Sequence, residues 1–248
     1  CSSDLTPWIG IVFLALSSAC CYCAGMVLND YFDVAQDTQE RPFRPIPSGR
    51  VSKREAGILG IVLLALGLSF GYVAKASANI LGWAPVGISL ILIIAILAYD
   101  CLLKRTWLGP LSMGACRFLN ILLGLSVLGV AIPWSARVFL AGIVGIYIVG
   151  LTWFAKTEAR QSNRGTLRSA TMLMTLALIG AVAVPVVWEK SRPSIAFPYL
   201  IVLLVFFLAG PVLFAIKNPK PERVQPAVKR MIMGLVMLDA ILATAIVG

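Results

Sequence analysis

Apolar residues run along this chain in long blocks, broken by short polar intervals. Eight blocks are long enough to cross a bilayer, at about 8–28, 56–74, 80–98, 107–131, 137–155, 169–188, 195–216 and 230–248. A spanning helix needs roughly 17–25 mostly apolar residues, because hydrocarbon leaves every backbone polar group to be satisfied within the segment. The pattern therefore predicts an all-α polytopic transmembrane helical bundle with eight spans. No interval between blocks has room for a soluble domain, so residues 1–248 are read as one membrane domain.

The polar intervals alternate in character. Those after the first, third, fifth and seventh blocks hold sixteen of the twenty-one Lys and Arg residues, Arg160 among them. The opposite intervals hold only Lys75, Arg137, Lys190 and Arg192, and Arg117 lies inside a block. Under the positive-inside rule the basic intervals face the cytoplasm, so the first span runs inward from outside. The chain starts at Cys1 rather than Met, and an upstream helix missing from it would account for both the start and the orientation. The opening "CSSD" also has the look of a lipoprotein-like mature end, a poor match to a polytopic chain.

Composition agrees. Hydrophobic residues make up 59% of the chain and the mean hydropathy is +0.91, above the 45–50% or so of soluble domains. A net charge of +10 raises nucleic acid as a partner. That class is excluded, because the bases sit between spans and show no aromatic–basic interleaving. Six Cys and no His make a metal centre of that type a poor reading, so Cys20, Cys21 and Cys23 of "ACCYCAG" are expected to be free thiols in a helix.

Charge is concentrated in "NDYFDVAQDTQERPFRPIPSGRVS", Asn29 to Ser52, which holds four of the eleven acids. Continued as a helix from the first span, it places Asp30, Asp33 and Asp37 within an arc of about 60°, with Asn29 alongside. Like charges on one stripe repel, and near a membrane they call for a cation. Mg²⁺ suits an all-oxygen set and completes its shell with substrate phosphates. A solvated acidic helix end is the plain alternative. Three prolines then stiffen a loop carrying Arg44 and Arg50, which could fold back over a phosphate or simply mark a cytoplasmic loop.

Two further groups stand out. In "YDCLLKRTWLGPLSMGACRFLNILLG", Tyr99 precedes Lys104 and Arg105 at a span end. Arg117 and Asn120 share one face within the next span. An arginine there costs about 2.5–3.5 kcal/mol on insertion scales and should meet an anion in a polar cavity or an interhelical carboxylate. In "TWFAKTEARQSNR", Trp153 and Glu158 end the fifth span. Asp239 is an acid deep in the last span.

The blocks "NDYFDVAQD" and "RPIPSGRVS", followed by tyrosine and "KR", resemble the UbiA superfamily of intramembrane prenyltransferases. With "CRFLNILLG", the chain is most similar to the divergent EboC branch. The resemblance implies nine spans including an extra N-terminal helix, and Mg²⁺-dependent transfer of an isoprenyl group from a prenyl diphosphate to an acceptor that it does not identify. It implies metal binding by Asp30, Asp33 and Asp37, and catalytic assistance from Lys104 and Arg117. Substrate contacts would come from Asn29, Arg44, Arg50, Tyr99, Asn120, Trp153 and Glu158, with Phe32, Tyr99 and Trp153 as rings for an allylic cation. Two departures are visible. The family's second aspartate cluster is reduced to Glu158, and the Tyr99-to-Lys104 spacing is one residue longer than usual. The expected location is the cell (inner) membrane, amid membrane lipid, with the site on the cytoplasmic side. The competing class is a non-catalytic lipid or metabolite carrier or precursor exporter on the same scaffold, which would bind a prenyl diphosphate without consuming it.

Overall fold

The computed structural model describes residues 6–77, 82–128, 132–158, 161–188 and 191–247; Cys1, Arg160 and Lys190 lie outside these. The described residues form nine α-helices and no strand: α1 Thr6–Phe32, α2 Val34–Glu40, α3 Lys53–Ser77, α4 Ala84–Ala98, α5 Gly109–Leu125, α6 Trp134–Ala155, α7 Arg164–Val187, α8 Ala196–Lys217 and α9 Pro221–Val247. A π-helical turn, Tyr99–Leu103, extends α4, and a short 3₁₀ turn, Ser126–Leu128, ends α5. The all-helical class expected from the apolar blocks is the one observed.

Among the described residues, seven helices are long and apolar enough to cross a membrane: α1, α3, α4 with its π-helical turn, α5 with its 3₁₀ turn, α6, α7 and α8. The eighth expected block is also helical, as the latter part of α9, but it stands outside these seven. That helix carries Glu222, Arg223, Lys229 and Arg230 in its first three turns and Asp239 further along. Large apolar side chains point outward from the spans, among them Ile61 at 67%, Phe206 at 75% and Val186 at 81% exposure. Water would penalise that much apolar surface, whereas lipid accepts it. The chain is an integral membrane protein. Cys20, Cys21 and Cys23 are free thiols, as expected.

Within the span read as one domain, two compact units are distinguished. The first comprises Cys1–Leu108 and Leu119–Ile132. Its centre is the antiparallel pair α1 and α3, which approach through small residues. A Cβ built on Gly60 would lie 2.6 Å from Leu28, and one on Gly67 would lie 2.8 Å from Cys21 Sγ. Lipid gives helices no hydrophobic reason to associate, so close backbone approach and hydrogen bonds take over. Ser17 Oγ donates to the Gly67 carbonyl at 2.6 Å and lies 3.4 Å from Ser89 Oγ of α4, both contacts buried. Beyond Phe32 the helical hydrogen bonding continues through a one-residue irregularity, from Asp33 N–H to Asn29 O and from Asp37 N–H to Asp33 O. The acids therefore keep the one-sided stripe that helical spacing predicts.

The second unit comprises Gly109–Phe118 and Pro133–Gly248. Here α6 is the most enclosed helix, with Tyr147 and Phe154 fully buried. The Tyr147 hydroxyl donates to the Met231 carbonyl of α9 at 2.8 Å, which satisfies its one polar atom in an apolar core. Gly150 lets α6 and α7 meet: a Cβ there would lie 2.6 Å from Met174 Cγ and 2.8 Å from the Ala170 carbonyl oxygen.

Backbone oxygen cannot step aside, so Gly150→Ala should destabilise the protein by about 1–3 kcal/mol, the usual cost of overpacking. Thermal unfolding in detergent should show a lower midpoint. Gly87→Ala, where a Cβ meets nothing within 4 Å, should leave the midpoint unchanged or raise it; equal midpoints for both variants would contradict this packing.

Candidate functional site

The polar end of the first unit gathers most of the residues singled out in the sequence. Asn29 and Asp30 lie in the last turn of α1, Asp33 at the junction, and Asp37 inside α2. Asp37 is 4% exposed, an unusual degree of burial for a carboxylate in a seven-residue helix. Its burial is made possible by Arg44. The loop after α2 folds back, and Arg44 Nη1 donates to Asp30 Oδ1 at 2.7 Å and to Asp37 Oδ2 at 2.9 Å. One guanidinium nitrogen thus bridges the first and last acids of the stripe.

The middle acid is served from another helix. Lys104, just past the π-helical turn, places Nζ 2.8 Å from Asp33 Oδ1. Lys104 Nζ is buried without a hydrogen-bond partner of good alignment, so the contact is an ion pair rather than a directed hydrogen bond. Arg105, mostly exposed, donates from Nη2 to the same oxygen at 3.1 Å. Charge-assisted pairs in such partly dry surroundings are among the stronger polar contacts.

The loop holding Arg44 is internally braced. Ser48 N–H donates to Arg44 O, Gly49 adopts φ +75°, and Val51 N–H reaches Pro45 O. A left-handed φ suits glycine, which has no Cβ to clash. Arg50 does not join the acids. Its Nη2 donates to Phe43 O at 2.7 Å and its Nε to Ser48 Oγ, so in this structure it staples the loop. Ser52 and Glu55 form a reciprocal capping box that starts α3.

The longer Tyr99-to-Lys104 spacing has a structural answer. Lys104 N–H donates to Tyr99 O at 3.0 Å, an i→i+5 bond. The π-helical turn takes up the additional residue and returns Lys104 to the azimuth that a four-residue spacing would give it. Tyr99, half-buried, is the first residue of that turn.

Sequence reasoning passed over Asp100, next to Tyr99. It is 3% exposed, and its Oδ1 accepts a hydrogen bond from Asn29 Nδ2 at 3.1 Å. Asn29 therefore spends its amide on a carboxylate of the π-helical turn. A helical wheel at 100° per residue cannot show this, because the turn departs from that period.

Asn120, expected at the substrate, accepts a hydrogen bond from Ser18 Oγ of α1 at 2.9 Å. In the second unit, Arg117 has Asp239 of α9 as a short ion-pair partner, joining Nη2 to Oδ2. This is the interhelical carboxylate that the sequence left open as a partner for the arginine inside a span. Trp153, 40% exposed, lies near the end of α6, and Glu158 lies in the turn after it, with its backbone N–H on Ala155 O.

The donor set around the stripe is all oxygen, the chemistry Mg²⁺ prefers. Asp100 Oδ2 is buried with no hydrogen-bond partner, a donor left over for a cation. Among the described residues no three acids converge as a finished metal cage, because Arg44, Lys104 and Arg105 stand against them. The chemistry of the residues fits the ion.

Residues 2–235 match the UbiA prenyltransferase family. The chain is 40% identical to the digeranylgeranylglyceryl phosphate synthase of Methanosarcina mazei over 129 residues, which is 51% of this chain and 42% of that one. It is 25% identical to the synthase of the same name from Saccharolobus solfataricus over 211 residues, 84% of this chain and 69% of that one. The match to the Methanosarcina protein thus spans less than half of that relative's length. In fold it resembles a structure described as digeranylgeranylglyceryl phosphate synthase in membranes, with a TM-score of 0.70 at 20% identity over 99% of this chain and 93% of that one. A UbiA homologue from Archaeoglobus fulgidus, solved with DMAPP and Mg²⁺, gives 0.60 at 17% identity over 95% and 88%.

Arg44 is the one side chain that ties the loop to both ends of the acid stripe. Arg44→Gln should expose residues 41–52 to proteinase K about tenfold faster, matching a loss of roughly 1.5 kcal/mol for charge-assisted bonds. Arg105→Gln should leave that rate unchanged, and equal rates in both variants would show that the guanidinium does not hold the loop.

Proposed function

Because the chain belongs to the UbiA prenyltransferase family, we propose that it transfers an isoprenyl group from a prenyl diphosphate to an acceptor, using the acid stripe at the end of α1. The observation that carries this reading is the interlocking of three aspartates with three bases at one membrane-helix end. A diphosphate site needs both signs of charge: acids for the counter-ion and bases for phosphate oxygens. The Archaeoglobus homologue, with DMAPP and Mg²⁺ bound, supports the donor class and the ion.

Asp30, Asp33 and Asp37 are the residues that would hold Mg²⁺. Bound there, the ion neutralises charge on the departing diphosphate. Lys104 and Arg44 are the bases nearest the stripe and would meet phosphate oxygens, where charge grows as the carbon–oxygen bond breaks. Tyr99 and Phe32 are the aromatic candidates for the allylic cation left behind, worth about 0.5–2 kcal/mol each by cation–π attraction. The hydrocarbon tail needs no polar pocket and can lie among the lipid-facing helices. Binding roles for Arg50, Arg117, Asn120, Trp153 and Glu158 rest on the sequence resemblance alone, as does placement in the EboC branch.

The acceptor is unassigned. The relatives are named for a digeranylgeranylglyceryl phosphate, so a geranylgeranylglyceryl phosphate is one acceptor to try. The basic character of the loops beside the acids supports a cytoplasmic site in the cell membrane.

Asp33→Ala and Asp37→Ala should each abolish Mg²⁺-dependent consumption of prenyl diphosphate in membranes while expression is retained. Mass spectrometry of lipids fed labelled prenyl diphosphates of several lengths reads both donor loss and product. Unchanged turnover in both variants would remove the stripe from the reaction, and donor binding without product would favour the carrier class.

A further inference from the structure

We propose that Asp100 is a further divalent-cation ligand of this site, its unpartnered Oδ2 supplying an anionic oxygen beside the Asp30–Asp33–Asp37 stripe. The inference rests on the prenyl-diphosphate reading above and extends it to a residue outside the aspartate pattern. Three observations converge on it. Asp100 is 3% exposed, yet only one of its two oxygens is used: Oδ1 accepts from Asn29 Nδ2 at 3.1 Å, and Oδ2 is buried with no hydrogen-bond partner. A buried carboxylate oxygen without a donor is costly, more so beside a bilayer.

The second observation is local charge. Asp100 lies within electrostatic reach of Lys104 and Asp33. Lys104 and Arg105 are both set against Asp33, while Arg44 is divided between Asp30 and Asp37. Four carboxylates thus share three bases, and the carboxylate left over is the most buried of the four, the one that water can least relieve. The third is backbone geometry. Asp100 sits in a π-helical turn closed by the bond from Lys104 N–H to Tyr99 O. Such turns are rare interruptions of α-helices and gather at functional sites.

The ligand chemistry follows from the donors. A carboxylate can only accept, so the amide nitrogen of Asn29 must face Asp100. Asn29 thereby fixes Oδ1 and leaves Oδ2 as the free donor. Carboxylate oxygen donors suit Mg²⁺ or Mn²⁺ better than softer ions. Asp100 would thus contribute a further acid to the oxygen donors at this helix end.

The test is Mn²⁺ binding to the full chain in lipid nanodiscs, read by electron paramagnetic resonance in the presence of a non-reactive prenyl thiodiphosphate. Asp100→Asn retains an oxygen to accept from Asn29 but removes the anionic donor. It should weaken Mn²⁺ binding about tenfold and reduce the thermal stabilisation that Mn²⁺ confers. Glu40→Gln, an exposed acid paired with Gln36, should bind as the unaltered chain does. A loss below fivefold in Asp100→Asn overturns the proposal. If Asp33→Asn weakens binding while Asp100→Asn does not, Asp100 alone is overturned and the stripe stands. If the unaltered chain binds no Mn²⁺ with the analogue present, both fall. Should Asp100→Asn not fold, Asp100→Glu carries the test: a longer arm should shift the ratio of Mg²⁺ to Mn²⁺ affinity, since Mg²⁺ tolerates little distortion, and unchanged affinities for both ions overturn the proposal.

Discussion

Carboxylates at the edge of a bilayer must be answered by cations, and in the first unit that demand organises everything around the end of α1. Asp37 can be buried only because Arg44 reaches it, and Arg44 can reach it only because the proline-stiffened loop doubles back. The same guanidinium takes Asp30. Asp33 draws Lys104 and Arg105 from the end of α4. One electrostatic requirement therefore joins a loop, a short helix and two spans.

Deeper in the membrane the rule changes from charge to size. Gly60, Gly67 and Gly71 bring α3 against its neighbours in the first unit, and Gly114, Gly145 and Gly150 do the same for α6 in the second. Polar contacts there are few and fully used, as with Ser17 on Gly67 and Tyr147 on Met231. Arg117 and Asp239 are the exception, each keeping one buried polar atom without a partner. They illustrate why an arginine inside a span needs an acid: alone it would cost several kcal/mol on insertion scales.

Much of this was legible in the residues. Apolar block length gave the helices, and i, i+3, i+7 spacing gave the acid stripe, because both depend on the regular period of an α-helix. Arg44 was legible as a base on a stiff loop. Arg50 has the same chemistry, and nothing in the sequence separates the base that reaches the acids from the one that ties Phe43 and Ser48 together. That choice is made by the turn at Gly49. Arg117 was recognised as needing an anion, but its partner lies 122 residues away, a distance that no local pattern spans. Asp100 was hidden for a different reason: its direction is set where the helical period itself changes.

That change of period has a consequence for how such a site can vary. Elsewhere in a span, adding a residue would rotate every later side chain by about 100° and carry Lys104 away from Asp33. Confined to Tyr99–Leu103, the addition is absorbed within one turn. The chain can therefore gain or lose an inward acid by a change in length rather than by substitution, with the lysine beyond it left in register.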